Sequence, residues 1–343
     1  MKTKNVFKLL SICALTFTTL SCSDDDTQPI MEEEDQTSVR LFTSNNSDGN
    51  ISILDVTNMS NVQSKTLITT STAADGVYYD ASTDAVFQAS RSNLNLEGFY
   101  NVDMLLNNTT ATIDISSTTD MESPREVAVN GDYYVVADNS DVDGDSNTPD
   151  GRLFVYQKTS NNFVLRNTIT TNFKLWGIVF SGADLYAIVD TTDQLAVFNN
   201  FLSNTTDQTL MASKTISIEG IVRTHGIALD GNTMVLTDIG VASGTGTSAT
   251  DGAFHIISDF SSKFNNTANG GTLALSEQVR VEGSSTLLGN PVDVAYDATT
   301  NTVFIAEAAN GKILAFNNIG SGGNLSPVID YNLASASAVY LSK

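Results

Sequence analysis

The sequence has little positive charge and almost no cysteine. Its 343 residues include 17 lysines and arginines against 39 aspartates and glutamates, which gives a formal net charge of −22. Nucleic-acid phosphates repel such a chain, which argues against nucleic acid as a partner. The two cysteines, Cys13 and Cys22, lie near the N-terminus. The rest of the chain therefore has no disulfide, no thiolate nucleophile and no cysteine-bound zinc.

Common catalytic motifs are missing as well. The two histidines, His225 and His255, are too far apart in the sequence to form an HExxH zinc helix. Neither a GxxxxGK[ST] phosphate loop nor a GxSxG serine elbow occurs. These absences exclude three large classes of hydrolase.

The N-terminal segment has the pattern of a secretory signal peptide over residues 1–21. Three lysines, the last of them Lys8, precede an apolar stretch from Leu9 to Leu20. This stretch is too short to span a bilayer as a mature helix. Leu20-Ser21-Cys22 resembles the lipobox of bacterial lipoproteins, which implies that Cys22 is acylated. A plain secretory signal with an incidental cysteine is the alternative.

The residues after Cys22 predict a cellular location and a flexible tether. The run from Ser23 to Asp26 reads Ser-Asp-Asp-Asp and resembles the acidic export tag of lipoproteins of the Bacteroidota. The resemblance implies a lipid anchor in the outer membrane and display at the cell surface. Residues 22–38 predict a flexible acidic tether, and residues 39–343 predict the folded domain.

From residue 39 onward the chain repeats one supersecondary unit. Each copy has a short apolar strand, a Gly/Asn/Asp turn and a second apolar strand. Five copies begin at Asp75, Arg125, Trp176, His225 and Val292. Their matched apolar residues are Val77, Val127, Ile178, Ile227 and Val294. A third strand is predicted after each of the turns Glu97-Gly98, Asp150-Gly151, Asp193-Gln194, Asp251-Gly252 and Asn310-Gly311.

A sixth copy is split between the two ends of the chain. The C-terminal ASAVYLSK matches the first strand of the unit, while VRLFTSNN from Val39 and the following NISILDV match the second and third. A chain whose ends complete one unit closes a ring, and antiparallel repeats of ~40–50 residues that close radially are propeller blades. The sequence therefore predicts an all-β fold, a six-bladed β-propeller closed by the C-terminal strand.

The repeat unit resembles NHL-type repeats and their relatives among six-bladed propellers, most clearly from Asn290 to Phe316. These relatives include the regucalcin and gluconolactonase type, in which a channel metal activates water or polarises a lactone carbonyl. The resemblance implies metal ligands at Asp75, Glu126 and Asp293 and a general base at Asp238. The amide ligands of that family have no matched position in this sequence.

The first residues of the copies predict a polar cluster at one mouth of the channel, because the first strand of each propeller blade lines that channel. The cluster comprises Asp75, Arg125, Glu126, Trp176, His225 and Asp293. A polar cluster in a concavity is the default ligand site, with Arg125, Trp176 and His225 as ligand-binding residues. Turn capping and mutual ion pairing are the structural alternative.

Acidic residues recur at a second position, the end of the second strand. They are Asp138, Asp190, Asp238 and Glu307. An acid that recurs at one repeat position predicts a turn fastener that accepts backbone N–H groups.

The segment from Asn139 to Asp150 resembles a twelve-residue calcium loop, with oxygen donors at alternating positions and Gly144 at position six. It predicts Ca²⁺ ligands at Asn139, Asp141, Asp143, Asp145, Asn147 and Asp150. Position twelve is aspartate rather than glutamate and the flanks are strands, so a solvated acidic insertion is the alternative. The Gly/Ser/Thr-rich loop from Ile239 to Asp251 is predicted on the same rim.

Three functions stay open at this stage. The first is a surface protein whose propeller rim binds a glycan, a peptide or a partner protein without catalysis. The second is a metal-dependent lactonase that acts in the central channel. The third is a structural element of a surface complex. The missing nucleophile motifs and the polar rim loops favour the first.

Overall fold

A computed structural model of the chain describes residues 38–241 and 250–343. The predicted signal peptide, Cys22, residues 22–37 of the predicted tether and the middle of the Ile239–Asp251 loop lie outside the described residues. Within them, six antiparallel sheets of four main strands each form the blades of a ring. We number the blades from the one that contains the start of the folded domain.

Each blade is given below as its four strands from the channel outward. Blade 1 consists of Ala336–Ser342, Arg40–Asn45, Ile51–Asp55 and Gln63–Ile68. Blade 2 consists of Ala74–Asp80, Ala85–Ser90, Asn95–Tyr100 and Ile115–Ser116. Blade 3 consists of Pro124–Asn130, Tyr133–Asp138, Gly151–Lys158 and Phe163–Thr171. Blade 4 consists of Leu175–Ser181, Asp184–Val189, Gln194–Phe198 and Lys214–Ile218. Blade 5 consists of Ile227–Asp230, Thr233–Asp238, Ala253–Ile257 and Val279–Glu282. Blade 6 consists of Pro291–Asp297, Thr302–Glu307, Lys312–Phe316 and Ile329–Asn332.

Short elements decorate the outer side of the ring. The strands Thr109–Thr110, Gln208–Thr209 and Thr272–Leu273 add in parallel to the outer strands of blades 1, 3 and 4. They cover sheet edges that would otherwise present unpaired backbone groups. The helices are Phe260–Asn266 and the 3₁₀ turns Val102–Met104, Phe201–Ser203, Leu275–Glu277 and Ile319–Ser321. None of the helices in the described ranges is long and apolar enough to cross a membrane.

The ring closes in blade 1, as the split repeat predicted. The C-terminal strand pairs antiparallel with the first strand of the folded domain, with Arg40 opposite Ser342 and Phe42 opposite Tyr340. The same C-terminal strand packs against the inner strands of blades 2 and 6. Blade 1 therefore joins both ends of the domain.

The core consists of six apolar layers, one between each pair of adjacent blades. Alternation along each strand supplies two layers at once, because successive side chains point to opposite faces. On the third strand of blade 3, Leu153 and Val155 pack toward blade 4, whereas Phe154 and Tyr156 pack toward blade 2. Each described blade packs apolar side chains on both of its faces, which is why the ring must close.

One predicted turn is wrong. Glu97 and Gly98 lie inside the third strand of blade 2, where Gly98 pairs with Phe87. A Cβ at Gly98 would lie 2.7 Å from the Phe87 ring, so this glycine makes room for a core aromatic. The chain turns earlier, before Asn95, with Leu94 at φ +59°.

Candidate functional site

The central channel contains a cavity of about 380 Å³ lined by inner strands from all six blades. The matched apolar residues of the repeats form a ring of wall residues: Val77, Val127, Ile178, Ile227, Val294 and Val339. We call the face where the inner strands begin the upper face, and the face where they end the lower face. The repeat alignment therefore predicted the wall of the channel correctly.

A stack of three side chains fills the upper mouth. The rings of Trp176 and His225 lie parallel, with centroids 3.7 Å apart, and the guanidinium of Arg125 lies 4.2 Å from the Trp176 ring centroid. Because His225 covers one face of the indole, Arg125 takes the other. The stack contains residues from blades 3, 4 and 5, and His225 is almost completely buried.

Ion pairs hold this stack in place. Asp75 accepts hydrogen bonds from Arg125 at 3.1 Å and from Asn46 at 2.6 Å, and the Nε of Arg91 lies 3.6 Å from the same carboxylate. Asp75 is almost completely buried. Burial raises its pKa, while the two arginines act to lower it.

Asp190 holds the stack in place on the side opposite Asp75. It accepts two hydrogen bonds from Arg223 and one from Asn139, at 2.9–3.2 Å, and it lies 3.2 Å from His225 Nε2. Burial lowers the pKa of His225 although Asp190 acts to raise it, so the stacked ring is neutral at pH 7. Burial acts to raise the pKa of Asp190, but the bonds from His225 and Asn139 and the charge of Arg223 hold it below its usual value.

Two carboxyl groups meet below the stack. Glu126 and Asp293 lie on the inner strands of blades 3 and 6, which are opposite each other in the ring, and both line the cavity. The two carboxyl groups are close enough that each affects the pKa of the other, and two acids this close favour a proton on one of them. Burial raises the pKa of Asp293 to about 7, and burial together with the charge of Asp293 raises that of Glu126. No lysine or arginine of the described residues pairs with either group.

Small residues in the other four blades make room for this pair. At the matching position those blades have Gly76, Gly177, Gly226 and Ala338. A Cβ at Gly226 would lie 2.7 Å from the Cα of Asp293, and one at Gly76 would lie 2.8 Å from the Cα of Glu126. The inner strands thus approach closely, and the two acids fill the axis of the channel at this level.

The recurring acids other than Asp190 act as turn fasteners; Asp190 instead bonds Arg223, Asn139 and His225. Asp138 accepts the N–H groups of Glu122 and Ser123, and Glu307 accepts those of Gly289 and Asn290.

Asp238, the candidate general base, fits the same pattern. One of its oxygens accepts three backbone N–H groups, from Val222, Arg223 and Gly240. It does not line the channel cavity, so its geometry fits a fastener rather than a base.

The acidic loop brings three of its six candidate ligands together. Oxygen atoms of Asp141, Asp143 and Asp150 lie within 4.8 Å of one another. Asn139 instead donates to the carbonyl of Leu175 and to Asp190. Asn147 donates to Asp145 at 2.7 Å, and Asp145 is not part of the carboxylate group. A Ca²⁺ ion at this loop would therefore have at most three carboxylate ligands in the present arrangement.

The sequence pattern missed three contributors to the upper mouth, Asn46, Arg91 and Arg223. Arg91 and Asn46 follow second strands, and Arg223 lies just before the inner strand of blade 5. The sequence did contain a signal for Arg223 at this mouth: arginine is scarce in this chain, and Arg223 lies two residues before His225.

Comparison with known proteins identifies the fold. No family model and no curated protein matches the sequence. A chain in the crystal structure of the nidogen/laminin complex matches with a TM-score of 0.57 at 11% identity, over 89% of this chain and 98% of the other. A putative 6-phosphogluconolactonase from Bacteroides fragilis matches with a TM-score of 0.58 at 13% identity, over 90% and 99%. At such identities the likeness concerns fold alone. This chain is a six-bladed β-propeller closed by strands from both of its ends.

Proposed function

We propose that this protein is a non-catalytic binding protein and that its channel takes one end of an extracellular ligand through the lower face. The carrying observation is a cavity with largely apolar walls and a carboxyl pair at its closed end, in which Asp293 is buried and Glu126 half-buried. Cavities of about 300–1,000 Å³ with a few convergent polar groups are typical ligand sites. Buried groups with displaced pKa values strengthen that assignment.

The direction of access follows from burial. The upper mouth is filled by the Arg125–Trp176–His225 stack, whereas the lower rim is open: the side chains of Lys343 and Asp230 are 39% and 33% exposed. Lys343 bonds Asp230 and Asp297 there at 2.6 Å. A ligand that enters from below passes this charged rim and then the aliphatic wall.

The chemistry of the closed end favours an amine. Glu126 and Asp293 have hydrogen-bond acceptors but no cationic partner among the described residues. An ammonium group can donate to both carboxylates and replace the shared proton. Its positive charge then offsets the repulsion between the two adjacent carboxylates. The N-terminus of a peptide and the amine of an amino sugar both carry this group.

Calorimetric titration of three probes tests the proposal: n-butylamine, a dipeptide with a free amine, and the same dipeptide N-acetylated. The free amines should bind with release of the shared proton, the acetylated dipeptide should bind at least tenfold more weakly, and Glu126→Gln should abolish the difference. Glu282→Gln, on the outer strand of blade 5, is the matched control. Equal binding of the two dipeptides, or no binding, would refute the proposal.

Surface display is a part of the same proposal. It is supported by the lysine-rich leader, the lipobox-like Leu20-Ser21-Cys22 and the acidic run after it. Metabolic labelling with a fatty acid should mark the wild-type protein and not Cys22→Ser. Protease added to intact cells should degrade it if it faces outward.

A lactonase is the second candidate, favoured by the buried carboxyl pair and by the fold shared with a putative 6-phosphogluconolactonase. Its implied metal does not fit the donor set as it stands. Both oxygens of Asp75 are bonded, one to Asn46 and one to Arg125, and two guanidiniums beside this carboxylate would repel a metal ion. Assays with δ-gluconolactone and 6-phosphogluconolactone, with and without Ca²⁺, decide this: turnover that Glu126→Gln abolishes would favour the enzyme over the binding protein.

A further inference from the structure

The channel cavity has acidic side chains at two levels. Among the described residues that line it, the acids and bases are Glu126 and Asp293 at the closed end and Asp230 and Lys343 at the lower rim. Three acids therefore face one lysine. Between the two levels lies the aliphatic ring of wall residues. Acids at both ends of an apolar stretch match a molecule that carries two positive charges on an apolar chain.

The lower rim has an acceptor to spare. Asp230 and Asp297 share the ammonium group of Lys343, at 2.6 Å each, so two carboxylates face one positive charge. Oδ2 of Asp230 accepts this bond and the N–H of Ala298 at 2.9 Å. Oδ1 of Asp230 accepts no hydrogen bond from the part of the chain that the structure describes. Because Asp230 lines the cavity, a second cation in the channel can bond to it while Lys343 stays in place.

Lys343 itself shows that this rim binds an aliphatic ammonium group. Its side chain is a four-carbon chain that ends in an ammonium, and it reaches from blade 1 to Asp297 in blade 6 and Asp230 in blade 5. Burial acts to raise the pKa of Asp230, but the bonds from Lys343 and from the N–H of Ala298 hold it below its usual value. The rim acid is therefore charged at pH 7, as ammonium binding requires.

The distance between the two levels follows from one strand. Asp293 and Asp297 lie four residues apart on the inner strand of blade 6, and a strand rises about 3.3 Å per residue, which places them about 13 Å apart. Asp230 lies at the level of Asp297, since both bond Lys343. A saturated chain needs about as many bonds as extended backbone to cover this distance, which corresponds to about eight to ten methylene groups.

We propose that the channel ligand is a linear diamine or polyamine, with one terminal ammonium group at Glu126 and Asp293 and the other at Asp230. This inference rests on the proposed function, because it extends the amine site at the closed end. Methylene groups suit the ring of wall residues, whereas the hydroxyl groups of an amino sugar would find no side-chain partners there. An alkanediamine and a polyamine share this chemistry.

Calorimetric titration at pH 7 and low ionic strength tests the inference, with n-octylamine, 1,8-diaminooctane and spermidine as probes. The terminal nitrogens of the two longer amines are separated by the same number of bonds. 1,8-Diaminooctane should bind at least tenfold more tightly than n-octylamine, which lacks only the second ammonium group. Tighter binding of spermidine would identify a polyamine, and tighter binding of 1,8-diaminooctane an alkanediamine. 1,3-Diaminopropane, which is too short to reach both levels, should bind no more tightly than n-propylamine.

Three variants locate the second ammonium group. Asp230→Asn should reduce the affinity for 1,8-diaminooctane to that for n-octylamine and leave n-octylamine binding unchanged. Lys343→Met removes the competing ammonium and should strengthen 1,8-diaminooctane binding at least threefold. Asp330→Asn is the matched control, because Asp330 pairs with Lys312 on the outer strands of blade 6, away from the channel. It should change neither affinity. Unfolding midpoints equal to the wild type would show that the variants are folded.

Failure of this inference is distinguishable from failure of the channel site. If n-octylamine binds and 1,8-diaminooctane binds no more tightly, the amine site at the closed end stands and the diamine inference is overturned. If n-octylamine does not bind, the proposed function itself fails. An equal loss of 1,8-diaminooctane binding in Asp330→Asn would also overturn the inference, because it would indicate a general effect of net charge.

Discussion

The buried carboxyl pair makes stability depend on pH in an unusual direction. The pKa of Asp293 is about 7 in the folded protein against an ordinary 3.8, and that of Glu126 is raised too. Groups whose pKa is raised by folding stabilise the protein while they are protonated. The contribution of Asp293 is complete below about pH 4, its pKa in the unfolded chain, and is lost as the pH rises through 7; Glu126 acts in the same direction.

The magnitude follows from the shift. One pKa unit corresponds to about 1.4 kcal/mol, so a rise of about three units corresponds to a loss of about 4 kcal/mol between pH 4 and pH 8. In Glu126→Gln the amide donates to Asp293 without a shared proton and removes the like charge. The cost of burying Asp293 remains in this variant, whereas the cost of ionising Glu126, whose pKa is raised by burial and by the charge of Asp293, is removed. We therefore expect this variant to be more stable than the wild type at pH 8 and about equal to it near pH 4.

Urea denaturation of both proteins at intervals from pH 4 to pH 8 measures this difference. Comparison with the wild type cancels the effects of other acids, such as Asp80, whose pKa is lowered to about 2. Glu282→Gln, which changes an exposed glutamate, should give a constant difference across the range. A constant difference for Glu126→Gln as well would refute the argument, because it would mean that folding does not raise the pKa of Glu126.

Three other perturbations have expected outcomes. Deletion of residues 336–343 should abolish the cooperative unfolding transition, since blade 1 loses its inner strand; an unchanged melting temperature would contradict ring closure. If the acidic loop binds Ca²⁺, the ion at a hundred times its Kd should stabilise the folded protein by about 2.7 kcal/mol and so raise its melting temperature. Asp143→Ala should then abolish this rise. Gly226→Ala should cost about 1–3 kcal/mol by overpacking, because its Cβ would lie 2.7 Å from the Cα of Asp293; Gly231→Ala, with open space around its Cβ but a positive φ, is the control for backbone strain alone.

The periodic features of the fold could be predicted from sequence because each recurs once per blade. The wall residue Val77 and its counterparts, and the fastener Asp138, stand at fixed distances from their turns, so alignment of the copies revealed both. Glu97-Gly98 misled this approach because a glycine that accommodates the Phe87 ring has the same sequence signal as a glycine in a turn.

The sequence predicted which residues belong to the candidate site but not how they contact one another. Alignment placed Glu126 and Asp293 at the same level of the channel, but their contact depends on blades 3 and 6 lying opposite each other and on glycine in the blades beside them. The stack of Trp176 on His225 depends on side-chain rotamers at a blade interface, which no spacing rule contains. The sequence therefore predicted a polar ligand site at this mouth, whereas the structure fills the mouth with the stacked side chains of Arg125, Trp176 and His225.

Blade 1 has a consequence for how the protein folds. Its inner strand, Ala336–Ser342, is synthesised after all the other described strands, yet it pairs with Arg40–Asn45, the first of the described strands. Contacts between distant parts of a chain form slowly, and here the closing contact cannot form until residues 336–342 have been made. A chain that crosses a membrane before folding would thus remain unable to close its ring throughout the crossing. Folding is then delayed by topology itself until the whole molecule has arrived in one compartment.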